Sequence, residues 1–583
     1  MILLNCMTKK SIFLEKKLRE LIKEIDVYGL LALILPTIFF IILSWPLILH
    51  FSSAILSSGG DAHYDIWLFE NLIKKNLIVN YPYNTVLAHH ILTPPYPIME
   101  LFNRLSAYFI SSAVARYNLL ILLSFPLTSL AAYLIAYEFS KNKLASLIVG
   151  IIIAFCPYHL IEAQYHVNIV SQFWVLFFAF AFYRYLKNPG WFRSIVSGIL
   201  FAVTLLDNYQ FGLIATIIGL LFLIGGLIAG YKQKQNISRI LLFLPVILVT
   251  AGILIYAFAP WLITSIFGNN TIKEYDRNFQ YAELSVYSAR AFFFYTPPPT
   301  AAIFGKYFTQ KYNLFFDQSR SNISAAVVYT GVLLPILALI GLALSQTRLK
   351  KPSGSRESIF LVFVGILTLI FLFMSFAPQI TILGLKIKTP AHYFFTHLPY
   401  FRVWVRFAYG VFFSIAILAS VCLAYLLKNH RILAAAAIAL LIIDFFPKHL
   451  STYKVNHLPA IYNLIPKENC TLAEYPMFAS DEPMADIYLL YQTIHHCKLI
   501  FGAPPIPKYD ENRKKIIDPT KQETITNLKE RGANYLVLHQ DLYLKGPVWK
   551  SPAELNNGQV PILTDSRLQF IACQDEICLY KIN

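Results

Sequence analysis

Long apolar stretches alternate with short polar segments along the first 450 residues of the sequence. A helix of about 20 apolar residues crosses the hydrocarbon core of a bilayer. Only 14% of the residues are charged, against roughly 25% in soluble globular proteins. The sequence therefore predicts a polytopic α-helical membrane protein with about eleven transmembrane helices. The apolar stretches lie near residues 28–50, 117–139, 144–157, 168–186, 192–206, 210–230, 240–260, 326–346, 357–377, 406–427 and 431–447.

Basic residues in the short loops predict how the chain crosses the membrane. Lys and Arg are concentrated in alternate loops, and an excess of these residues marks the cytoplasmic side. We therefore expect a plasma-membrane protein whose basic N-terminus, 1–27, is cytoplasmic. The +17 net charge then reflects loop placement, and we predict no nucleic-acid partner. The predicted transmembrane domain is 28–450, with outer loops at 51–116, 157–167, 261–325 and 378–405.

The C-terminal segment, 451–583, has shorter apolar runs and more charge, and its topology places it outside the cell. Strand-like and helix-like runs alternate in it and predict a small extracytoplasmic α/β domain. Its four cysteines, in an oxidising compartment, are disulfide candidates rather than a standard zinc site. A predicted C-terminal hairpin would place two of them opposite each other. The four are Cys470, Cys497, Cys573 and Cys578.

Two acids and a histidine follow the first predicted helix, in the segment Gly60–Trp67. On a helix Asp61 and Asp65 would share one face, and His63, between them in the sequence, is a candidate to line a polar cavity. Like charges so placed repel each other unless a metal, a cation or a substrate lies between them. The alternative is a helix N-cap at Asp61 and a solvated Asp65.

The second outer loop carries His159, Glu162 and His166, whose spacing puts them on one helical face. This face could bind a metal or an acidic ligand, line a polar cavity, or belong to an interfacial helix that faces water. Asp207 lies between two apolar runs and is a further candidate for the same cavity.

Arg402 and Arg406 precede the tenth predicted helix and would share a face. Arginine is costly at the bilayer surface unless it meets an anion, and a guanidinium binds phosphate through paired hydrogen bonds. The pair therefore indicates a lipid-phosphate site. The alternative is contact with lipid headgroups or with a nearby acid. Arg290 and Lys306 are additional candidates for the same anion.

The order of these features resembles the GT-C superfamily of membrane glycosyltransferases, and more narrowly YfhO-like and related prokaryotic GT-C membrane proteins. Three stretches carry the resemblance: Gly60–Trp67, Pro399–Phe407 and Glu474–Pro476. It implies transfer of a sugar, with inversion, from a polyprenyl-phosphate donor to a glycan, lipid or protein acceptor at the outer membrane face. Asp61 would be the general base and Asp65 a possible second acid, while the arginines would bind the lipid phosphate.

In many members of that superfamily the first-loop acids are adjacent, whereas here Asp61 and Asp65 are four residues apart. We predict no cofactor and no metal. Two other functions stay open. A transporter of lipid-linked glycans would need ionisable groups within the spans, and Asp444 is nearly the only one. A non-catalytic scaffold would leave Asp61 dispensable.

Overall fold

A computed structural model describes residues 26–56, 61–74, 96–233, 237–258, 281–310, 327–349, 356–397, 403–455, 459–466, 469–478, 486–500, 513–544 and 559–583. Helices dominate up to residue 445, and a sheet domain follows. The helices are α1 (Val27–Leu43), α2 (Asp61–Lys74), α3 (Pro97–Ala107), α4 (Ala113–Ser140), α5 (Lys143–Ala154), α6 (Pro157–Tyr165), α7 (Phe173–Lys187), α8 (Trp191–Asp207), α9 (Tyr209–Lys232), α10 (Ile237–Phe258), α11 (Tyr281–Val286), α12 (Leu333–Leu349), α13 (Arg356–Ser375), α14 (Pro390–His397), α15 (Ala408–Asn429), α16 (Arg431–Phe445), α17 (Asp486–His495), α18 (Gln522–Glu530) and α19 (Gln540–Leu544). The strands are β1 (Ala54–Ile55), β2 (Gln379–Ile382), β3 (Leu385–Lys388), β4 (Tyr453–Lys454), β5 (Thr471–Tyr475), β6 (Lys498–Leu499), β7 (Tyr535–His539), β8 (Leu568–Gln574) and β9 (Ile577–Ile582).

Within the described ranges, seven helical stretches are long and apolar enough to cross a membrane. Two shorter apolar helices, Val27–Leu43 and Leu333–Thr347, accompany them. The chain is thus a multi-pass membrane protein by helix length and hydropathy. Each predicted apolar stretch contains a helix, but the count of about eleven transmembrane helices remains a prediction. The seven stretches are Ala113–Ser140, Lys143–Tyr165, Val167–Lys187, Tyr209–Lys232, Ile237–Phe258, Arg356–Ser375 and Trp404–Asn429.

Some predicted helix boundaries differ from the structure because local backbone signals interrupt the apolar runs. The first helix ends at Leu43, and a separate 3₁₀ turn covers Leu47–His50 after Pro46. Helix α12 begins only at Leu333, after Gly331, which has a φ of 74°. That left-handed conformation favours glycine and does not continue a helix.

Helix α15 lies at the centre of the bundle, against α12 and α13. Gly341 of α12 makes the close approach possible, because a Cβ there would lie 2.1 Å from the Leu418 carbonyl oxygen. Close approach of this kind is typical of membrane helices, where small residues allow backbones to pack tightly.

Lysine–carboxylate pairs lie at one end of the bundle. At this end, Glu138 lies 3.1 Å from Lys141 and 3.2 Å from Lys187. At the same end, Asp26 caps α1 and lies 2.7 Å from Lys143. The opposite end carries α2, the α6 segment and the C-terminal sheet domain.

The C-terminal domain is built on a mixed five-stranded sheet with the order β6-β5-β7-β9-β8. Strand β5 is parallel to β6 and β7, whereas β9 is antiparallel to both β7 and β8. Disulfide bonds join Cys470 to Cys497 and Cys573 to Cys578. The second pair lies across the β8–β9 hairpin, where the two residues are register partners.

The sheet domain is attached to the helical domain by backbone and side-chain contacts. Strand β1 pairs with β4, and the Leu450 N–H donates to the Leu43 carbonyl oxygen at 2.9 Å. The Trp67 indole N–H of α2 donates to Gln492 Oε1 of α17 at 2.7 Å. One hydrophobic cluster extends from Phe40 through α2 to Leu472 of the sheet. Helix α2 is therefore packed between the two domains.

Candidate functional site

Helix α2 fixes the position of the first-loop acids. Asp61 is its first described residue, and its side chain is 51% exposed. One turn later Asp65 is only 2% exposed. The helix is anchored on the bundle by Asn103, whose side-chain amide donates to the Phe69 carbonyl oxygen at 2.8 Å. One acid is therefore open to an incoming molecule, whereas the other is enclosed.

Asp65 lies in a crowded acidic environment. Burial, together with the Asp61 and Asp486 carboxylates, raises the pKa of Asp65 well above its usual value. Its Oδ2 atom has no hydrogen-bond partner among the described residues. Burial and Asp61 likewise raise the pKa of Asp486 on α17. The raised pKa values favour the neutral form of both Asp65 and Asp486. Asp486 belongs to the C-terminal domain.

His63 is packed rather than open to a cavity, since it is 7% exposed. Burial lowers its pKa to about 4. At neutral pH its ring is therefore uncharged, and the structure does not place it as a partner for the charge of Asp61 or Asp65.

Glu162 and His166 are brought to Asp61 by α6. His166 Nδ1 lies 2.7 Å from Glu162 Oε2, and its Nε2 lies 3.9 Å from Asp61 Oδ2. Glu162 is 2% exposed. Of the three residues predicted to share a face of the second outer loop, Glu162 and His166 contact each other, and His166 approaches Asp61.

The prediction that His159 lines the same cavity does not agree with the structure. The ring is fully buried, with Nε2 3.0 Å from Ser124 Oγ and Nδ1 2.8 Å from the Ala154 carbonyl oxygen. It also stacks on Phe125 at 4.5 Å. The helical spacing predicted that His159 shares a face with Glu162 and His166. In the structure both of its ring nitrogens lie within hydrogen-bond distance of core residues.

Arg406 lies at the start of α15, in the 3₁₀ turn Trp404–Phe407. Its Nη1 donates to Gln210 Oε1 at 2.5 Å, and its Nε has no partner among the described residues. Across the described ranges no carboxylate forms an ion pair with it. The charges of both Arg406 and Asp61 act on the pKa of His166. Of these two charges, Asp61 lies 3.9 Å from the His166 ring, whereas Arg406 is held by Gln210.

A polar seam extends from Arg406 towards α2. The Asn208 side-chain amide donates to the Asn168 carbonyl oxygen at 3.2 Å. In turn, the Asn168 amide donates to the Tyr96 hydroxyl at 2.9 Å. Burial raises the pKa of Tyr96, and the charges of Arg406, Asp65 and Asp61 also act on it. The hydrogen bonds of the seam therefore join Asn208, Asn168 and Tyr96.

Asp207 lies next to this seam, at the end of α8, and is 4% exposed. Its Oδ2 has no partner among the described residues, and the same is true of both side-chain polar atoms of Gln172. Buried polar atoms usually find a partner in the protein or in water. Their presence here indicates a polar interior at this end of the bundle.

The other predicted phosphate-binding cations, Arg290 and Lys306, contact neighbouring residues of their own segments. Arg290 donates from Nη1 to the Ser288 carbonyl oxygen at 3.0 Å and from Nη2 to the Ser285 carbonyl oxygen at 2.7 Å. The Lys306 ammonium lies over the Tyr307 ring at 5.0 Å. Arg402 lies outside the described residues. In the part of the chain that the structure describes, no cluster of three or more His, Cys, Asp or Glu residues could hold a metal ion.

Four residues of this region were missed by sequence reasoning: Tyr96, Asn168, Gln210 and Asp486. Asn168 and Gln210 are polar residues next to long apolar runs, and that signal could have found them. Asp486 carries no such signal, because only the packing of α17 against α2 brings it to Asp61.

The fold and these residues define a multi-pass membrane protein with a polar, charged site next to its C-terminal domain. Residues 67–446 match the family described as Domain of unknown function (DUF6311), and the chain belongs to this family. No curated protein sequence matches it.

Three solved structures show distant similarity to the chain. The Archaeoglobus fulgidus oligosaccharyltransferase is 13% identical, with 92% of this chain and 72% of that chain covered and a TM-score of 0.48. Arabinofuranosyltransferase AftD from Mycobacteria is 11% identical, with coverages of 90% and 39% and a TM-score of 0.47. ArnT from Cupriavidus metallidurans, bound to undecaprenyl phosphate, is 14% identical, with coverages of 90% and 93% and a TM-score of 0.39.

Proposed function

We propose that this protein is a membrane glycosyltransferase that moves a sugar from a polyprenyl-phosphate donor to an acceptor hydroxyl at the outer membrane face. The observation that carries the proposal is a half-exposed carboxylate, Asp61, 3.9 Å from the His166 ring, together with a guanidinium, Arg406, that is held by the neutral side chain of Gln210. The GT-C resemblance of the sequence supports the same reaction. The narrower resemblance to YfhO-like proteins remains a prediction.

Asp61 is suited to act as the general base. An inverting transfer needs one carboxylate that removes the proton of the acceptor hydroxyl while its oxygen attacks the anomeric carbon. Asp61 is 51% exposed, so an acceptor can reach it. Asp65 is enclosed, and its raised pKa favours the neutral form, which is a poor base at neutral pH. The two acids therefore have different roles, and only Asp61 receives the proton.

Arg406 is suited to bind the lipid phosphate of the donor. As the glycosidic bond breaks, negative charge grows on the departing phosphate, and a fixed cation stabilises that charge. Gln210 is a neutral hydrogen-bond partner, so the positive charge of Arg406 stays available to an anion. Arg402 would add a second guanidinium, and Arg290 and Lys306 remain additional candidates.

The decisive variant is Asp61→Asn, which keeps the shape of the side chain but cannot accept the proton. We expect transfer to fall by about 100- to 10,000-fold, the usual contribution of a general base. The measurement uses purified protein in lipid nanodiscs with a panel of radiolabelled polyprenyl-phosphate sugars. It follows both sugar transfer and release of polyprenyl phosphate.

Asp575→Asn is the matched control, because Asp575 is an exposed carboxylate in the β8–β9 turn. It should leave transfer unchanged. Full transfer by the Asp61 variant would contradict the mechanism. Movement of an intact lipid-linked glycan across the bilayer, without cleavage of the donor, would favour the transporter alternative.

A further inference from the structure

Glu162 holds the imidazole of His166 in one orientation. His166 directly follows α6, and its backbone N–H donates to the Glu162 carbonyl oxygen at 2.8 Å. The ring atom Nδ1 lies 2.7 Å from Glu162 Oε2. The backbone and the ring are therefore both fixed by the same residue one helical turn earlier. Because Nδ1 is occupied, Nε2 is the ring nitrogen that faces Asp61.

The contact between His166 and Asp61 leaves room for one more atom. The distance of 3.9 Å from Nε2 to Asp61 Oδ2 is too long for a direct hydrogen bond but short enough for an ion pair. A single oxygen atom can hydrogen-bond to both groups across such a gap. The His166 side chain is 16% exposed and that of Asp61 is 51% exposed, so an acceptor reaches Asp61 more readily.

The groups around His166 determine its charge. Burial lowers the pKa of His166, but the carboxylates of Glu162 and Asp61 raise it, and Arg406 opposes them. The net effect is a raised pKa, which favours the imidazolium. The Tyr165 ring also lies beside His166, with the two ring centroids 6.4 Å apart. The His166 ring therefore lies between two carboxylates, and both raise its pKa.

We propose that His166 is a positioning residue for Asp61: fixed by Glu162, its positive charge keeps the Asp61 carboxylate aimed at the acceptor hydroxyl. This inference rests on the proposed function and deepens it. The acceptor proton passes to Asp61 and then to water, and the imidazolium keeps both of its own protons throughout. Glu162 acts only through His166 and does not touch the acceptor.

The pH profile of transfer tests this role. Transfer requires an ionised Asp61, which gives an acid limb, and a protonated His166, which gives an alkaline limb. Glu162→Gln removes the carboxylate that raises the pKa of His166, so the alkaline limb should move down by about 1–3 pH units. His166→Asn should abolish that limb and lower kcat by roughly 100-fold, the effect of a misplaced reacting group.

Two further variants serve as controls. Glu162→Asp keeps the charge and should keep the alkaline limb near its wild-type position. Glu138→Gln removes a buried carboxylate that pairs with Lys141 and Lys187 at the opposite end of the bundle, and it should keep the wild-type profile. An active Glu162→Gln enzyme with an unmoved alkaline limb overturns the inference and leaves the proposed function standing. Wild-type protein that transfers no sugar from any donor overturns both.

Discussion

At the residue scale, side chains of the same type lie in different surroundings within and next to the site. Asp61 is exposed, whereas Asp65, four residues later, is buried with an unpaired oxygen. His166 has a carboxylate on each side, while His159 has both ring nitrogens satisfied in the core. Identical side chains therefore differ in burial and in neighbours, and the spacing of residues in the sequence reveals neither.

Arg406 gives a prediction at this scale. Arg406→Ala should weaken binding of polyprenyl phosphate by about 10- to 150-fold, because a hydrogen bond to a charged group contributes roughly 1.5–3 kcal/mol. Binding is measured with sugar-free polyprenyl phosphate and protein in nanodiscs. Arg431→Ala is the control, since Arg431 is an exposed arginine at the start of α16. Equal affinities for the two variants would show that Arg406 does not hold the phosphate.

At the element scale, hydropathy predicts most helices because each must satisfy its own backbone hydrogen bonds within a bilayer. The strands β5 and β7 and the C-terminal hairpin also follow from local pattern. Boundaries fail where a local signal cuts an apolar run, as at Pro46 and Gly331. The contact of α17 with α2 could not be predicted, because Trp67 and Gln492 are 425 positions apart in the sequence.

The approach of α12 to α15 gives a prediction at this scale. Gly341→Ala places a Cβ 2.1 Å from the Leu418 carbonyl oxygen, so the two helices must move apart. We expect a loss of about 1–3 kcal/mol, the usual cost of overpacking. Thermal unfolding in detergent measures it. Gly252→Ala is the control, because nothing lies within 4 Å of its added Cβ. A melting temperature equal to that of the control would contradict this packing.

At the scale of the whole molecule, the orientation of the bundle in the membrane stays a prediction from the basic loops. The Lys141, Lys143 and Lys187 end carries the basic loops, and the Asp61 end carries the disulfide-bonded domain. Sequence predicted that the acids and arginines belong to one side. It could not predict that α17 of the C-terminal domain packs against α2, because that contact depends on how the domain packs.

The orientation is itself testable by cysteine labelling in intact cells. Asp575→Cys, in a chain without its other reactive thiols, should react with a membrane-impermeant maleimide added outside. Lys141→Cys should react only after the membrane is opened. Positive residues in short loops stay on the cytoplasmic side, which is the physical reason for the expected difference. The reverse pattern would invert the topology and move the site to the cytoplasm.

The hydrogen bond from Trp67 to Gln492 also bears on how the protein is made. Helix α2 is synthesised early, but its buried partner on α17 leaves the ribosome more than 400 residues later, as the separation of 425 positions requires. During most of translation Asp65 therefore lacks the α17 surface that packs against its helix. A chain that stops before residue 486 can insert its helices, yet it lacks Asp486 and the packing of α2, so the finished site is a late product of biosynthesis.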